Sequence, residues 1–396
     1  MNILFFSYNA YSPTRGGIAR ITSYLIDIFR NKGHKVIKVG HRKDQFSVVE
    51  DDLQFYLPNN VSTNSSENIT YLKKICFEYN INIIICQNPL SECGDILFDL
   101  KRQINVYLIS CIHNSVLTPI LNYAYVQEYP LRKRHLSFLF RLLKLKPIRK
   151  LVTNIYVNKY KDDYIKVVKN SDAVTLLCKE QIPELKKMCN ISEFRNIQII
   201  PNGLDYKATC STQKENIILW VGAFDLRIKR PDLMLKAWSK IYKNHLDWKL
   251  YMLGDGPGLS EMKNLCTKLK LENVIFTGRV DPIEYYKKSK VLCVTSTHEC
   301  FPMVLLEAMF NGLATIAYRS FTSSRELILD GVSGLLVEPF NINSYAKSLE
   351  SLINDEHFLS ILSQNSVRYS EHFELDFIYK TWETLFNRIN SSIKPI

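Results

Sequence analysis

Lys290-Val291-Leu292-Cys293-Val294-Thr295-Ser296-Thr297-His298-Glu299-Cys300-Phe301-Pro302-Met303-Val304-Leu305-Leu306-Glu307-Ala308-Met309 decides how this chain is read. Its opening residues form a short apolar run of buried-strand type. Pro302 stands near the expected start of a helix, where a missing N–H and a fixed φ cost little. The order is strand, short loop, helix, with Glu299 in the loop and Glu307 eight positions on, in the first turns of the helix. Such a helix start offers free backbone N–H groups and a partial positive charge, here around Met303–Leu305, which suits a diphosphate. Two carboxylates beside an anion site cannot serve the phosphates themselves; they suit hydroxyls. Taken alone, the pair would be surface glutamates before an ordinary amphipathic helix, so the rest of the chain must decide.

Working outward, short apolar runs alternate with longer periodic segments. Strand-like runs fall at 2–7, 35–39, 81–86, 105–111, 173–178 and 197–200, then at 216–221, 248–253, 274–277, 291–295, 314–317 and 334–337. Helix-like segments include 18–31, 68–79, 230–243, 258–268, 283–288, 304–311 and 344–353. This alternation predicts an α/β protein with parallel sheets covered on both faces. Two doubly wound, Rossmann-like domains follow, over 1–200 and 201–375, joined near Pro201. A terminal helical segment occupies 376–396. Ligands in such sheets bind outside the carboxyl ends of the strands.

At 396 residues, with 46% hydrophobic and 23% charged content, the chain has the composition of a soluble protein of two or three domains. It contains no apolar run of bilayer-spanning length. Met1-Asn2-Ile3-Leu4-Phe5-Phe6-Ser7 lacks a basic n-region and a small-residue cleavage site, and reads as a first strand. The ten cysteines form no C-x-x-C pair, and Cys86, Cys111, Cys178 and Cys293 lie in apolar runs, where cysteine is a small buried hydrophobe. A reducing cytoplasm is the expected location.

The net charge of +12 is unevenly placed. Residues 1–200 hold 28 Lys and Arg against 17 Asp and Glu, while the remainder holds 23 against 22. Residues 132–161 carry ten basic residues and no acid. Over Leu136–Lys146 the pattern is apolar, with Ser137, Arg141 and Lys144 on one helical face. A basic amphipathic helix reads as contact with an anionic membrane surface, placing the protein peripherally on the inner face. The competing reading is a core helix with solvated basic residues. Zinc-finger spacing and ribonucleoprotein aromatic motifs are missing, so nucleic acid is not an expected partner.

Several further stretches carry a resemblance. Glu299-Cys300-Phe301-Pro302-Met303-Val304-Leu305-Leu306-Glu307 resembles the E-x7-E element of retaining GT-B glycosyltransferases of family four, also called glycosyl transferases group 1. Thr14-Arg15-Gly16-Gly17, after the first strand, lets backbone approach an anion or simply makes a tight turn. It is not G-x-G-x-x-G, which counts against a dinucleotide. His113 stands just past a strand, where the family has a histidine on the donor sugar. Pro201-Asn202-Gly203-Leu204-Asp205 resembles the family's interdomain turn. Gly222-Ala223-Phe224-Asp225-Leu226-Arg227-Ile228-Lys229-Arg230 resembles the element whose arginine and lysine clamp a diphosphate. Lys229 matches the lysine, but Ala223 stands where the arginine belongs, leaving Arg227 or Arg230 to supply that charge. Gly278-Arg279-Val280 matches the stretch beside the base.

The resemblance implies a GT-B fold whose terminal helix crosses back to the first domain. It further implies transfer of a sugar from a UDP- or GDP-sugar to a glycan or polyprenyl-linked acceptor in surface polysaccharide or lipopolysaccharide assembly. The nucleotide-sugar is a co-substrate, and no cofactor is expected. With no Asp-x-Asp in the chain, no metal is expected either. The implied catalytic residues are Glu299, His113 and Lys229. The implied donor contacts are Gly17, Gly222, Arg227, Lys229, Gly278, Arg279, Val280, Glu299, Phe301, Pro302, Met303, Val304, Leu305 and Glu307, with Glu307 on the ribose. A non-catalytic GT-B subunit and a sugar-nucleotide epimerase are the alternatives.

Overall fold

Two all-parallel sheets organise the chain in a computed structural model that describes residues 1–9, 16–42, 53–207 and 214–392. Thr14 and Arg15 lie outside the described residues. The chain forms two compact units: 1–114 with 157–205 and 374–396, and 115–156 with 206–373.

The first unit's strands are β1 (Asn2–Asn9), β2 (Lys35–Arg42), β3 (Gln54–Tyr56), β4 (Ile83–Cys86), β5 (Tyr107–Ile112), β6 (Ala173–Leu176) and β7 (Ile197–Ile199), in the order β3-β2-β1-β4-β5-β6-β7. β4, Ile83-Ile84-Ile85-Cys86, is buried throughout, because helices cover both faces of a parallel sheet and no polar alternation is needed. The order reverses between β1 and β4, which is the switch point of a doubly wound sheet. β3 is a three-residue, half-buried strand, too short to register as an apolar run.

The terminal helix Leu375–Ser392 packs in this same unit, on the helix Gly17–Asn31. Phe29 meets Trp382 at 5.5 Å and Phe386 at 5.3 Å between ring centres, both edge-on. His34 Nε2 bonds the Tyr379 hydroxyl at 2.8 Å. The crossing back is therefore fixed by an aromatic cluster, whose edge-on pairs add to its buried area.

The second unit holds β8 (Glu215–Val221), β9 (Lys249–Leu253), β10 (Val274–Gly278), β11 (Ser289–Val294), β12 (Ala314–Tyr318) and β13 (Gly334–Val337), in the order β10-β9-β8-β11-β12-β13. Its switch point lies between β8 and β11. Trp220, Trp238, Leu235 and Tyr345 are among its buried core. The helix expected over 230–243 is shorter, Pro231–Trp238. Arg230 precedes it with φ 50°, a left-handed conformation that ends the preceding turn.

Residues 115–156 fall within 1–200 on the sequence division but pack in the second unit. The Thr118 and Thr322 hydroxyls bond at 2.6 Å, Asn122 Nδ2 donates to the Thr297 and Ser320 carbonyls, and Tyr125 stacks on Phe340 at 3.8 Å. One amphipathic helix over Leu136–Lys146 does not form. His135 adopts φ 58°, a short helix covers Phe138–Leu143, and a new helix starts at Lys146. Pro147 has no N–H to continue the earlier helix. The core-helix reading fails as well, since Phe138 is 62% exposed and Leu142 and Leu145 about half exposed. No described helix is long and apolar enough to cross a membrane. All nine described cysteines are buried, and burial pushes the Cys111 and Cys293 thiols up to about 12.

Candidate functional site

The second unit's switch point gathers most of the residues singled out above. Gly222 directly follows β8, and a turn over 225–230 comes after it. Asp225 Oδ1 accepts the Arg227 and Ile228 N–H groups, which closes the turn. Thr295 and Thr297, both buried in the loop after β11, stitch it to the sheet. Thr295 Oγ1 donates to the Lys229 and Arg230 carbonyls and accepts from Trp220 Nε1. Thr297 Oγ1 donates to the Arg227 carbonyl at 2.8 Å. Neighbouring backbone closes in tightly. A Cβ on Gly254 would come within 2.0 Å of the Gly222 carbonyl oxygen, so only glycine fits there.

Held this way, Lys229 reaches Glu299, with Nζ 2.5 Å from Oε1. Ser296 Oγ donates to the same Oε1 at 2.7 Å, and Ser115 Oγ to the Glu299 carbonyl at 2.6 Å. His298, beside them, has its pKa lowered, chiefly by burial. The helix Met303–Phe310 starts after Pro302 with no side-chain cap. Leu305 N–H is used by the Pro302 carbonyl at 3.1 Å, so the amides of Met303 and Val304 are the ones at the helix start. Phe301, Met303 and Leu305 bury their side chains, leaving only backbone for a ligand.

Glu307 is buried, and the fully buried Tyr286 hydroxyl donates to its Oε2 at 2.7 Å. Gly278 ends β10, its carbonyl accepting Gly254 N–H, with Arg279 and Val280 exposed beyond it.

The two candidates for the missing arginine part company. Arg230 is 2% exposed, paired to Asp232 at 2.8 Å and Glu128 at 2.8 Å, and donates to the Tyr125 carbonyl. Burial alone would lower its pKa, but Asp232 and Glu128 hold it raised. Burial would raise Asp232, yet Arg230 and Lys236 hold it well below the usual carboxylate range. Arg230 is therefore a structural cation and not a phosphate ligand, which corrects that half of the expectation. Arg227 and Ala223 are exposed on the turn.

His113 lies in the first unit, just past β5, with Nε2 2.5 Å from Gln87 Oε1. Burial lowers its pKa to about 4. Gly17 is the first residue of the helix Gly17–Asn31, after Gly16 at φ 106°. A Cβ on Gly17 would meet nothing within 4 Å, so it is conformation at Gly16 that requires glycine here. Gln87, Ser115, Ser296 and Tyr286 were not foreseen. Ser296 and Gln87 had signals: a serine three residues before Glu299, and a polar residue at the end of a buried strand.

Residues 206–369 match the family described as Glycosyl transferases group 1. A 184-residue stretch is 33% identical to the Campylobacter jejuni GalNAc-alpha-(1->4)-GalNAc-alpha-(1->3)-diNAcBac-PP-undecaprenol alpha-1,4-N-acetyl-D-galactosaminyltransferase, covering 46% of this chain and 51% of that one. Another, of 200 residues, is 30% identical to the amylovoran biosynthesis glycosyltransferase AmsD of Erwinia amylovora, covering 50% and 54%. The chain thus spans about half the length of these relatives. The crystal structure of Anabaena HepE in complex with UDP superposes with a TM-score of 0.72 at 16% identity, over 98% of this chain and 100% of that one. That likeness establishes the fold.

Proposed function

We propose that this chain, which has the GT-B fold and matches the glycosyl transferases group 1 family over residues 206–369, is a glycosyltransferase that moves a sugar from a nucleotide-sugar to a glycan or lipid-linked acceptor in surface polysaccharide assembly. Lys229, Glu299 and the uncapped start of Met303–Phe310, together at the β8–β11 edge, carry the assignment. The Met303 and Val304 amides and Lys229 hold the diphosphate, and preorganised donors of this kind supply a large part of transfer catalysis. Glu307, oriented by Tyr286, holds the ribose hydroxyls. Glu299 holds hydroxyls of the donor sugar.

Transfer retains the anomeric configuration. The acceptor oxygen bonds to C1 as the C1–O bond to phosphate breaks, and the acceptor proton passes to the departing phosphate oxygen. No metal takes part. UDP is the favoured nucleotide, since the fold neighbour HepE is seen with it. The acceptor is a polyprenyl-linked glycan, in line with the undecaprenol named for the Campylobacter relative.

The protein works on the inner membrane face. Phe138, Leu142, Leu145, Leu151 and Ile155 are exposed among the cations of 132–161, an apolar and basic surface suited to anionic lipid. Flotation with anionic liposomes should fall when Phe138 and Leu142 become Ser and Arg141 becomes Glu. The reading as a whole is tested by thermal melts with UDP, GDP, ADP and TDP, with and without magnesium. A magnesium-independent shift with one nucleotide, lost in Glu307→Ala, is expected. No shift with any would sink it, and binding without transfer would mark a non-catalytic subunit.

A further inference from the structure

We propose that His298 is a further donor-sugar contact, an uncharged ring whose Nε2 lone pair accepts a sugar hydroxyl beside those held by Glu299. This rests on the glycosyltransferase reading. The hydrogen bonds of the loop after β11 set the ring's tautomer. Thr297 is fully buried, and its hydroxyl has a single proton, which goes to the Arg227 carbonyl at 2.8 Å. His298 Nδ1 lies 3.1 Å from that same hydroxyl oxygen. With the Thr297 proton already committed, Nδ1 is the donor, so the ring carries its proton on Nδ1. Nε2 is left as an acceptor, and it has no hydrogen-bond partner among the described residues. The ring itself is only half-buried, so a ligand can reach it. Four charges face it: Glu299 and Asp225, which favour protonation, and Lys229 and Arg227, which oppose it. Burial outweighs them and lowers the pKa, leaving the ring uncharged at neutral pH.

Glu299, the next residue, is arranged in the same way. Its Oε1 is occupied by Lys229 Nζ and by Ser296 Oγ. Its Oε2 has no hydrogen-bond partner among the described residues. The loop that carries both side chains is fixed at its start, where Ser320 Oγ donates to the Ser296 carbonyl at 2.6 Å and Thr297 N–H to the Ile228 carbonyl at 2.7 Å. Two consecutive residues thus each present one oxygen or nitrogen lone pair beside the Lys229 cation. Hydroxyls can donate to such atoms, whereas ionised phosphate oxygens have no proton to give. The arrangement divides the donor: the diphosphate goes to Lys229 and the helix-start amides, and His298 with Glu299 selects a sugar by its hydroxyls. An apolar side chain at 298 would remove the acceptor without touching the cation or the amides.

The test is calorimetric titration of the full chain with UDP, UDP-glucose, UDP-galactose, UDP-N-acetylglucosamine, GDP and GDP-mannose. The variants are His298→Phe and His298→Gln, the second able to bring an amide oxygen close to the place of Nε2. The sugar nucleotide that wild type binds best should weaken about fivefold in His298→Phe, as befits one neutral hydrogen bond, while its nucleoside diphosphate binds as before. His298→Gln should restore most of the loss. If His298→Phe does not fold, His298→Leu replaces it. Among monodeoxy forms of that sugar nucleotide, one should bind wild type about fivefold more weakly and be indifferent to His298→Phe. Unchanged sugar-nucleotide binding in the variant, an equal loss for the bare diphosphate, or a full effect of His298→Phe on every deoxy form overturns the proposal. Diphosphate binding that strengthens as pH falls from about 8 to about 6, and only with His298 present, would make the ring a cation on phosphate and overturn it too. Nitrogen-15 spectra should show His298 protonated on Nδ1 at neutral pH; the Nε2–H form would refute the acceptor role. The same titrations separate the two readings. Failure of both nucleoside diphosphates to bind sinks the glycosyltransferase reading, and diphosphate binding with no effect of His298 on any sugar nucleotide removes only this contact.

Discussion

Lys229 Nζ lies 2.5 Å from Glu299 Oε1, joining the turn after β8 to the loop after β11. The proposed diphosphate cation and sugar-side acid are thus one ion pair before any ligand arrives. Their side chains are 26% and 14% exposed, so the cost of taking both charges from water offsets much of their attraction, and the pair adds little net stability. Its value lies in position.

Lys229→Met should therefore separate catalysis from stability. Losing one preorganised donor to developing charge costs about 100-fold or more in transfer rate. The melting temperature should shift by only a few degrees. A transfer assay and a thermal melt on the same sample check this, and a fall of less than tenfold would remove Lys229 from the diphosphate.

Asp232→Asn should do the reverse. It leaves the buried Arg230 guanidinium with one carboxylate fewer, and breaking a buried pair costs about 3–5 kcal/mol. The pH dependence follows from Asp232's lowered pKa. Its stabilisation is full above the unfolded value of 3.8 and is lost as pH falls through the lower folded value. Urea midpoints of wild type and variant should differ steadily near neutrality and converge below pH 3.8.

Much of this was legible in the residues, and the exceptions have physical causes. Buried runs such as Ile83–Cys86 and Ala314–Tyr318 mark parallel strands, and Glu299 and Glu307 fall in the loop and helix expected of them. Burial cannot be read from charge, however. Arg227 and Arg230 look alike in the sequence, but only the left-handed turn at Arg230 buries its guanidinium against Asp232 and Glu128. The packing of 115–156 in the second unit was hidden too. It depends on long-range bonds from Thr118 and Asn122, and such contacts leave no periodicity in the chain. Gln87 meets His113 only because the neighbouring strand brings the two together.

His113 should leave no titration limb near 6.5 in the transfer rate, because its folded pKa is about 4. The unfolded chain takes up the proton as pH drops below 6.5, while the folded ring resists until about 4. Stability is thus unaffected above 6.5 and falls between these values. Burial also lowers His34, His41 and His298, so the check is a difference. Wild type should lose stability relative to His113→Gln between pH 6.5 and 4, and parallel curves would refute the assignment.

The vacancy at Ala223 makes the last prediction a gain of function. Ala223 and Arg227 are both exposed on the turn that carries Lys229, so changes at either should alter stability by no more than about 0.5 kcal/mol. A hydrogen bond to a charged group is worth about 1.5–3 kcal/mol, and arginine's fork suits phosphate. Ala223→Arg should therefore tighten nucleoside diphosphate binding roughly tenfold or more. Arg227→Ala should weaken it by a similar factor in the wild-type background and by less once Arg is present at 223, because one cation then covers for the other. Calorimetric titration of the four combinations measures that coupling. Strict additivity would mean that Arg227 does not stand in for the missing arginine.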